Sequence, residues 1–178
     1  MDLKLFYFLN SWVGKSASLD FAFIFLAKYL GYLVVVFFVA YIFLDRRLTL
    51  KQKIAWYILA VISVGIARGI LTEIIRHFDH SLRPFMLDGK VKNLIPEDSY
   101  SFPSGHTIAI FAIVTIAYFY KKNLGWWLGI GGLIVGLARV IVGVHWPSDI
   151  VGGVILGILV SIVFYKLLPK KFKPPLHS

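Results

Sequence analysis

Hydrophobic and polar positions follow one another along this chain in long blocks. Five apolar runs are separated by short polar or basic segments, and they cover about residues 19–44, 54–75, 106–120, 124–144 and 149–168. A helix needs about 20 residues to cross the hydrocarbon of a bilayer. The pattern therefore predicts an all-α integral membrane bundle of about five transmembrane helices. The third run is shorter than the others, and we expect its first turn to lie in a recessed site rather than in lipid.

The two ends of the chain differ from the apolar runs. Residues 1–18 are too short and too polar to span, and leucine and phenylalanine side chains give them one apolar side, which predicts a helix lying in the membrane interface. Residues 169–178 form a basic, proline-rich tail. The chain shows no internal repeat, so we predict a single membrane-embedded domain over 1–178.

Composition supports a membrane protein and narrows its chemistry. Hydrophobic residues make up 58% of the chain, against about 45–50% in a soluble domain. The absence of cysteine excludes disulfides, thiolate catalysis and cysteine-ligated metals. A net charge of +10 would suggest nucleic acid as the partner of a soluble protein. In a membrane protein the basic residues are first sorted by membrane side, and no nucleic-acid partner is predicted.

Basic residues are concentrated in segments that five spans would place on one side of the membrane. These segments are the 45–53 loop, the 121–123 turn and the C-terminal tail. The positive-inside rule makes that side, and the C-terminus, cytoplasmic in a cell membrane. Arg76 and Arg83 fall on the opposite side, and this departure from the rule indicates a functional use for them.

Two pairs of glycines have the spacing that lets membrane helices approach closely. They are Gly132 with Gly136 and Gly153 with Gly157. We expect them to pack the fourth and fifth spans together within one chain, in preference to forming a dimer. The sequence does not establish the oligomeric state.

Three polar clusters lie at span ends on the predicted extracytoplasmic face. They are Arg76 with Arg83, the stretch Ser104-Gly105-His106, and Arg139 with His145 and Asp149. Charged groups at membrane depth cost about 2.5–3.5 kcal/mol each at a helix centre. Arginine forks match phosphate geometry, and histidines can act as nucleophile or acid. Such a grouping predicts a phosphoryl-transfer site, and no acidic cluster suited to a hard metal accompanies it, so the predicted site is metal-free and without cofactor.

The third cluster carries local geometry of its own. Pro147 suits the first position of a helix, which places Asp149 in the first turn, able to reach back to the ring of His145. A carboxylate on one ring nitrogen makes the other a better nucleophile or base. A structural hydrogen bond between the two is an equally good interpretation of this cluster alone. If the fourth span continued as a helix, Arg139 would lie about 9 Å below His145.

The second cluster predicts the start of the third span. Ser104 is a good N-cap, and the first backbone N–H groups of the helix, including that of Gly105, would then be free to bind an anion. A capped helix with an incidental His106 is the simpler interpretation of these residues alone.

In order and spacing, the three clusters resemble the signature of the type 2 phosphatidic acid phosphatase superfamily. That signature is Lys-x6-Arg-Pro, Pro-Ser-Gly-His and Ser-Arg-x5-His-x3-Asp, and the resemblance covers roughly 76–149. The wider layout is similar to the bacitracin-resistance type of undecaprenyl-diphosphate phosphatase. Arg76 replaces the family lysine and keeps its charge. Ala138 replaces the family serine, so one hydroxyl is missing.

The resemblance implies roles that the residues alone do not decide. His145 would attack phosphorus and become a phosphohistidine, Asp149 would orient it, and His106 would protonate the leaving oxygen. The phosphate would be held by five residues: Arg76, Arg83, Ser104, Gly105 and Arg139. The implied partner is a phosphorylated lipid among membrane lipids, and undecaprenyl diphosphate is preferred over phosphatidylglycerophosphate, phosphatidate or lipid A 1-phosphate.

One hypothesis of a different kind remains. A small anion or lipid transporter would also use the arginines, although it has no need for the histidines and the aspartate together.

Arg68 and Glu73 are charged residues inside the second span, where an intramembrane charge is a functional candidate. For Glu73 we predict a structural pair with Arg76, three residues away, ahead of a direct part in catalysis.

Overall fold

The computed structural model describes residues 2–173, and within them the protein is built of helices without strands. The helices are α1 (Asp2–Asn10), α2 (Ala17–Lys28), α3 (Leu30–Leu44), α4 (Leu50–Val64), α5 (Thr72–Phe78), α6 (Pro84–Leu87), α7 (Gly105–Tyr120), α8 (Lys122–Ile141) and α9 (Pro147–Leu167). A π-helical segment, Gly65–Leu71, joins α4 to α5. A 3-10 turn, Lys170–Phe172, follows α9. The last part of the predicted basic tail, 174–178, lies outside the described residues.

The predicted membrane bundle is confirmed. Among the described residues, three helical stretches are long and apolar enough to cross a bilayer: Leu50–Phe78, Lys122–Ile141 and Pro147–Leu167. The pair α2 and α3 makes a fourth if it is counted as one span, and α7 is a shorter apolar helix of 16 residues. These helices correspond to the five apolar runs of the sequence. Many of their outward-facing side chains are large and apolar, as a hydrocarbon solvent requires.

The first span is bent rather than continuous, which the sequence did not predict. Tyr29 lies between α2 and α3 as the cap residue of both, and the two helices meet at an angle of 44°. Gly31 lies just after the bend, where an added Cβ would approach Ile110 of α7 to 3.1 Å. The bend therefore accompanies close packing of α3 on α7, at a glycine of the kind often found at helix kinks.

The helix α7 lies at the centre of the bundle, and most of its residues are buried. A Cβ added at Gly157 of α9 would meet the backbone oxygen of Ile108 at 2.6 Å. A Cβ added at Gly132 of α8 would lie 2.9 Å from Cγ2 of Ile110. The glycines do pack helices within the chain, but α7 is a principal partner, in addition to the predicted contact between α8 and α9. This packing fixes the start of α7 against the start of α9.

A helix forms near the N-terminus, α1, shorter than the predicted 1–18, and it is tied to the long loop before α7, while its place in the membrane interface stays a prediction. The Asn10 side-chain amide donates to the backbone oxygens of Lys92, at 2.8 Å, and Ile141, at 2.9 Å, and its oxygen accepts from the Lys92 N–H at 3.1 Å. Phe6 is fully buried and its ring packs on Trp146, 4.9 Å between centroids. These contacts hold α1 next to the connection between α8 and α9.

The connection between α8 and α9 corrects one expectation. The helix α8 ends at Ile141, earlier than the predicted 144, and Gly143 turns the chain with φ +85°. Arg139 is therefore not a helical rise of about 9 Å below His145. The turn brings the two side chains to 3.4 Å, measured from Nη2 of Arg139 to Nε2 of His145.

Replacing Gly143 with alanine is expected to destabilise the protein and to lower activity. The residue has the left-handed backbone that favours glycine, and an added Cβ would lie 2.5 Å from the Lys92 backbone oxygen. We expect a loss of about 2 kcal/mol or more in the free energy of unfolding, seen as a lower melting temperature in detergent. The matched control is Gly89→Ala, where no atom lies within 4 Å of the added Cβ. Equal melting temperatures for the two variants would contradict this explanation.

Candidate active site

The three clusters predicted from the sequence converge on one polar cavity of about 150 Å³ at the ends of the helices. Most of the side chains that line it are charged or can form hydrogen bonds. The lining residues are Arg68, Thr72, Glu73, Arg76, Arg83, Glu97, Ser99, Gly105, His106, Arg139 and His145. These residues belong to the π-helical segment, α5, the connection from α5 to α7, the start of α7, the end of α8 and the connection between α8 and α9, so the packing of these parts creates the cavity.

A histidine–aspartate pair lies at the base of the cavity. His145 is 1% exposed, and its Nδ1 lies 3.2 Å from Oδ2 of Asp149 in the first turn of α9. The same Oδ2 accepts hydrogen bonds from the Trp146 backbone N–H, at 2.8 Å, and from the Ser101 hydroxyl. With three donors around this oxygen, the carboxylate fixes the orientation of the ring and favours the tautomer that carries its hydrogen on Nδ1.

The other ring nitrogen of His145 faces two guanidinium groups. Nη1 of Arg83 and Nη2 of Arg139 each lie 3.4 Å from Nε2. Guanidinium nitrogens only donate hydrogen bonds, so Nε2 presents its lone pair toward them. A phosphate at this place would have cations on its oxygens and the lone pair of Nε2 directed at its phosphorus.

Arg83 is held rigidly by backbone groups of two loops. Its Nε donates to the Ser99 backbone oxygen at 2.7 Å, and its Nη1 donates to the Val144 oxygen at 2.8 Å. A further bond runs from Nη2 to the Ser99 hydroxyl, 3.0 Å. Because Val144 precedes His145, the guanidinium of Arg83 and the ring of His145 are fixed relative to each other.

Glu97 joins the two arginines of the site. Its carboxylate accepts from Nη2 of Arg139 at 2.6 Å and lies 3.5 Å from Nη2 of Arg83. Burial acts to raise the pKa of Glu97, but the hydrogen bond and the charge of Arg139, with the charge of Arg83, hold it below its ordinary range. The carboxylate is therefore ionised at neutral pH and occupies guanidinium donors that a phosphate would need.

The start of α7 forms a further wall of the cavity. Gly105 and His106, the first two residues of the helix, line it. Ser104 has the predicted N-cap position, but its hydroxyl is buried and accepts a hydrogen bond from Thr107 at 3.1 Å. Ser104 is not among the lining residues. Its predicted contact with phosphate therefore stays a prediction, with the hydroxyl placed behind the wall.

Arg76 enters the cavity from α5. Its Nη2 donates to the Pro103 backbone oxygen at 3.3 Å, and its Nη1 lies 3.6 Å from Glu73, so the predicted pair is present. The Nε atoms of Arg76 and Arg139 are buried and have no hydrogen-bond partner among the described residues. Buried donors of this kind are costly unless an anion completes them.

The environment of His145 sets its charge. Burial first, and then the positive charges of Arg139 and Arg83, hold its pKa well below its ordinary range. The ring is therefore neutral at neutral pH and keeps the lone pair that a nucleophile or base requires.

Sequence reasoning missed several residues of the site. Glu97, Ser99 and Ser101 lie in the loop before α7, where no spacing pattern links them to the motifs. A polar loop that carries a carboxylate between two motif arginines is the one signal that could have indicated Glu97. Among the described residues, no group of three or more histidine or acidic side chains is arranged to hold a metal ion.

The chain is similar to known proteins over most of its length. A family model described as the PAP2 superfamily matches residues 53–173, which include every predicted site residue. The chain belongs to the PAP2 superfamily. Its resemblance to the bacitracin-resistance type of that superfamily is also confirmed, because a relative of that type is similar over most of its length.

Two curated relatives and one solved structure illustrate this PAP2 membership. The bacitracin transport permease protein BcrC of Bacillus licheniformis is 32% identical over 96% of this chain and 82% of its own. An undecaprenyl-diphosphatase of Sulfolobus acidocaldarius is 30% identical over 91% of this chain and 76% of its own. The crystal structure of Aquifex aeolicus LpxE superposes with a TM-score of 0.73 at 28% identity, covering 93% of this chain and 94% of that one.

Replacing Glu97 with glutamine is expected to tighten the binding of inorganic phosphate by about 3- to 10-fold. The carboxylate competes with phosphate for Arg139 and Arg83, and glutamine removes its charge while keeping its shape. The measurement is the competitive inhibition constant of orthophosphate in a phosphatase assay at pH 7. Asp98→Asn, a neighbouring acid without an ion pair to either arginine, is the control. An unchanged or weaker inhibition by phosphate in Glu97→Gln would contradict the competition.

Proposed function

We propose that this PAP2 protein hydrolyses undecaprenyl diphosphate to undecaprenyl phosphate and inorganic phosphate in a cell membrane. The observation that carries the proposal is Nε2 of His145, with its lone pair directed between the guanidiniums of Arg83 and Arg139, while Nδ1 faces Asp149. The name of the Sulfolobus acidocaldarius relative, an undecaprenyl-diphosphatase, supports this substrate. Phosphatidylglycerophosphate, phosphatidate and lipid A 1-phosphate are the alternative substrates, because the cavity residues recognise phosphate and not the lipid.

The reaction proceeds in two steps without a metal. In the first, the Nε2 lone pair of His145 attacks the terminal phosphorus, the bond from phosphorus to the bridging oxygen breaks, and His106, protonated beside the bound anionic substrate, gives its proton to that oxygen. Lipid monophosphate leaves and a phosphohistidine remains. In the second, His106 takes a proton from water, whose oxygen attacks phosphorus, and the phosphorus–nitrogen bond breaks. Orthophosphate is released, and both histidines return to their starting forms.

The remaining site residues bind the negatively charged phosphate of the substrate. Arg83 and Arg139 hold the phosphoryl oxygens beside Nε2, and Arg76 and the Gly105 N–H add donors from α5 and the start of α7. Ser104 belongs to this set by its place in the family motif. These groups are fixed before substrate arrives, so they stabilise the charge of the transition state with little reorganisation.

The cavity opens on the extracytoplasmic side in this proposal. Basic segments gather at the opposite end of the bundle, where the Tyr120 hydroxyl donates to Asp45 and Lys121 donates to the Tyr41 hydroxyl at 2.7 Å. Lys51 and Phe172 border one groove at that end, so the beginning of the tail lies there as well. The positive-inside rule then makes that end cytoplasmic.

Transport is the second candidate function, because the Bacillus licheniformis relative is named a bacitracin transport permease protein. A transporter of a phosphorylated lipid would use the arginines for binding. It would have no use for a buried neutral histidine whose ring is fixed by a carboxylate and whose free nitrogen faces the anion site. We therefore place hydrolysis ahead of transport.

Hydrolysis and transport can be distinguished in detergent solution, because transport needs two compartments and none exist there. Purified protein with a chelator is given undecaprenyl diphosphate and, in parallel, the three alternative phospholipids, and released orthophosphate is measured. We expect release that is fastest from undecaprenyl diphosphate and insensitive to the chelator. A faster reaction with one of the other lipids would overturn the substrate, chelator sensitivity would overturn the metal-free mechanism, and no release from any of them would favour transport.

A further inference from the structure

Arg68 is a cation of the cavity that the family motifs do not include. It lies in the π-helical segment between α4 and α5, lines the cavity, and forms no hydrogen bond or ion pair with any residue that the structure describes. Its side chain lies across the start of α7, where a Cβ on Gly105 would be 3.3 Å from its Nε. An unpaired arginine within a membrane span is costly unless an anion joins it.

The π-helical segment turns Arg68 toward the cavity. In a regular α-helix, positions 68 and 76 would differ by about 80° around the axis. The wider turn, in which the N–H and the hydroxyl of Thr72 both donate to the Ala67 oxygen, reduces that difference. Arg68, Thr72 and Arg76 all line the same cavity. Short π segments are frequent at functional sites, and this one adds a cation.

The side chains of the cavity lie at different depths from its base to its rim. His145, Arg83 and Arg139 are buried at its base, His106 is half-buried, and Arg68 is exposed at the rim. Arg68 lies against Gly105, the neighbour of His106, whereas Arg83 and Arg139 lie beside Nε2 of His145. Arg68 is therefore on the His106 side of the cavity, where a leaving group would be.

We propose that Arg68 binds the second phosphate of a lipid diphosphate and makes the site selective for diphosphates over monophosphates. This inference rests on the proposed function. With the terminal phosphorus at His145 and the bridging oxygen at His106, the phosphate that stays on the lipid reaches the rim at Arg68. A lipid monophosphate has a neutral alcohol as leaving group and offers Arg68 no anion. Arg68 thus helps to bind a lipid diphosphate and to stabilise its leaving phosphate. It does neither for a lipid monophosphate.

The test compares two substrates that share one chain, farnesyl diphosphate and farnesyl phosphate, in detergent. We expect Arg68→Gln to lower kcat/KM for the diphosphate by roughly 10- to 100-fold, the loss of hydrogen bonds to a charged group, and for the monophosphate by less than about 3-fold. Arg68→Lys keeps the positive charge but loses the planar, two-pronged guanidinium group. Its kcat/KM for the diphosphate should lie between those of the wild-type protein and Arg68→Gln. The matched control is Arg46→Gln, another exposed arginine, in the loop between α3 and α4.

Inhibition by inorganic anions gives a readout that does not depend on which lipid is hydrolysed. Pyrophosphate should inhibit the wild-type protein more strongly than orthophosphate, and Arg68→Gln should remove that difference. Equal losses on both farnesyl substrates, or an unchanged preference for pyrophosphate, would overturn the role of Arg68. Wild-type protein that hydrolyses only the monophosphate would instead overturn the proposed function, and the inhibition arm would still decide whether Arg68 binds a second phosphate.

Discussion

Replacing His145 with alanine is expected to abolish phosphate release, with a loss of about four orders of magnitude or more in kcat. The ring supplies the atom that attacks phosphorus, and the neighbouring arginines can bind phosphate but cannot form a bond to it. The variant should still bind inorganic phosphate, because Arg83 is held by Ser99 and Val144 rather than by the ring alone. Loss of turnover with retained phosphate binding separates a nucleophile from a structural residue.

A covalent intermediate gives the sharper measurement. Wild-type protein quenched during turnover of substrate labelled in the terminal phosphate should carry label that is stable in base and released in acid, as a phosphorus–nitrogen bond requires. His145→Ala should carry none, and His80→Ala, a histidine packed on Tyr100 away from the nucleophile, should label normally. Label that persists in His145→Ala would assign the attack to another residue.

The local part of the site was predictable because its information lies within a few residues. Pro147 begins α9, so Asp149 falls in the first turn, four residues after His145, and the contact at 3.2 Å follows from helix geometry. The five apolar runs were predictable for a similar reason, since a membrane span shows itself in composition over about 20 residues. The bend at Tyr29 was not, because it depends on packing against α7.

The non-local part of the site could not be predicted from spacing. Glu97 meets Arg139 and Arg83 only because the loop before α7 folds over the end of α8. Arg139 lies beside His145 because Gly143 turns the chain back, whereas a continued helix would have separated them. Motif order indicated which residues belong together, but the loops and turns decide which atoms face which.

Arg68 shows the same limit within a helix. Hydropathy places it inside the second span, and helical periodicity at 3.6 residues per turn sets it off from Arg76. The change to i→i+5 bonding near Ala67 and Thr72 brings the two positions closer in angle around the helix axis, and composition does not encode that change. An intramembrane charge without a sequence partner was the signal, and its use required the structure.

Replacing Asp149 with asparagine is expected to lower kcat by roughly 10²- to 10⁴-fold while the protein stays folded. Asparagine keeps the shape of the side chain, and its oxygen can still accept from the Trp146 N–H or the Ser101 hydroxyl. It removes the negative charge that favours hydrogen on Nδ1 of His145. If the amide nitrogen turns toward Nδ1, the ring moves its hydrogen to Nε2 and loses the lone pair that faces Arg83 and Arg139.

The measurements are kcat, the yield of labelled phosphoenzyme and the melting temperature of the same preparation. The control is Asp20→Asn, a first-turn aspartate of α2 that accepts from the Gly14 N–H at 2.9 Å and lies away from the cavity. It should change neither activity nor labelling. If Asp149 served only to tie α9 to the loop that contains Ser101, activity would fall no further than stability does, and the phosphoenzyme would form at the normal rate. A slowed formation of the phosphoenzyme at an unchanged melting temperature requires the carboxylate to act through the ring of His145.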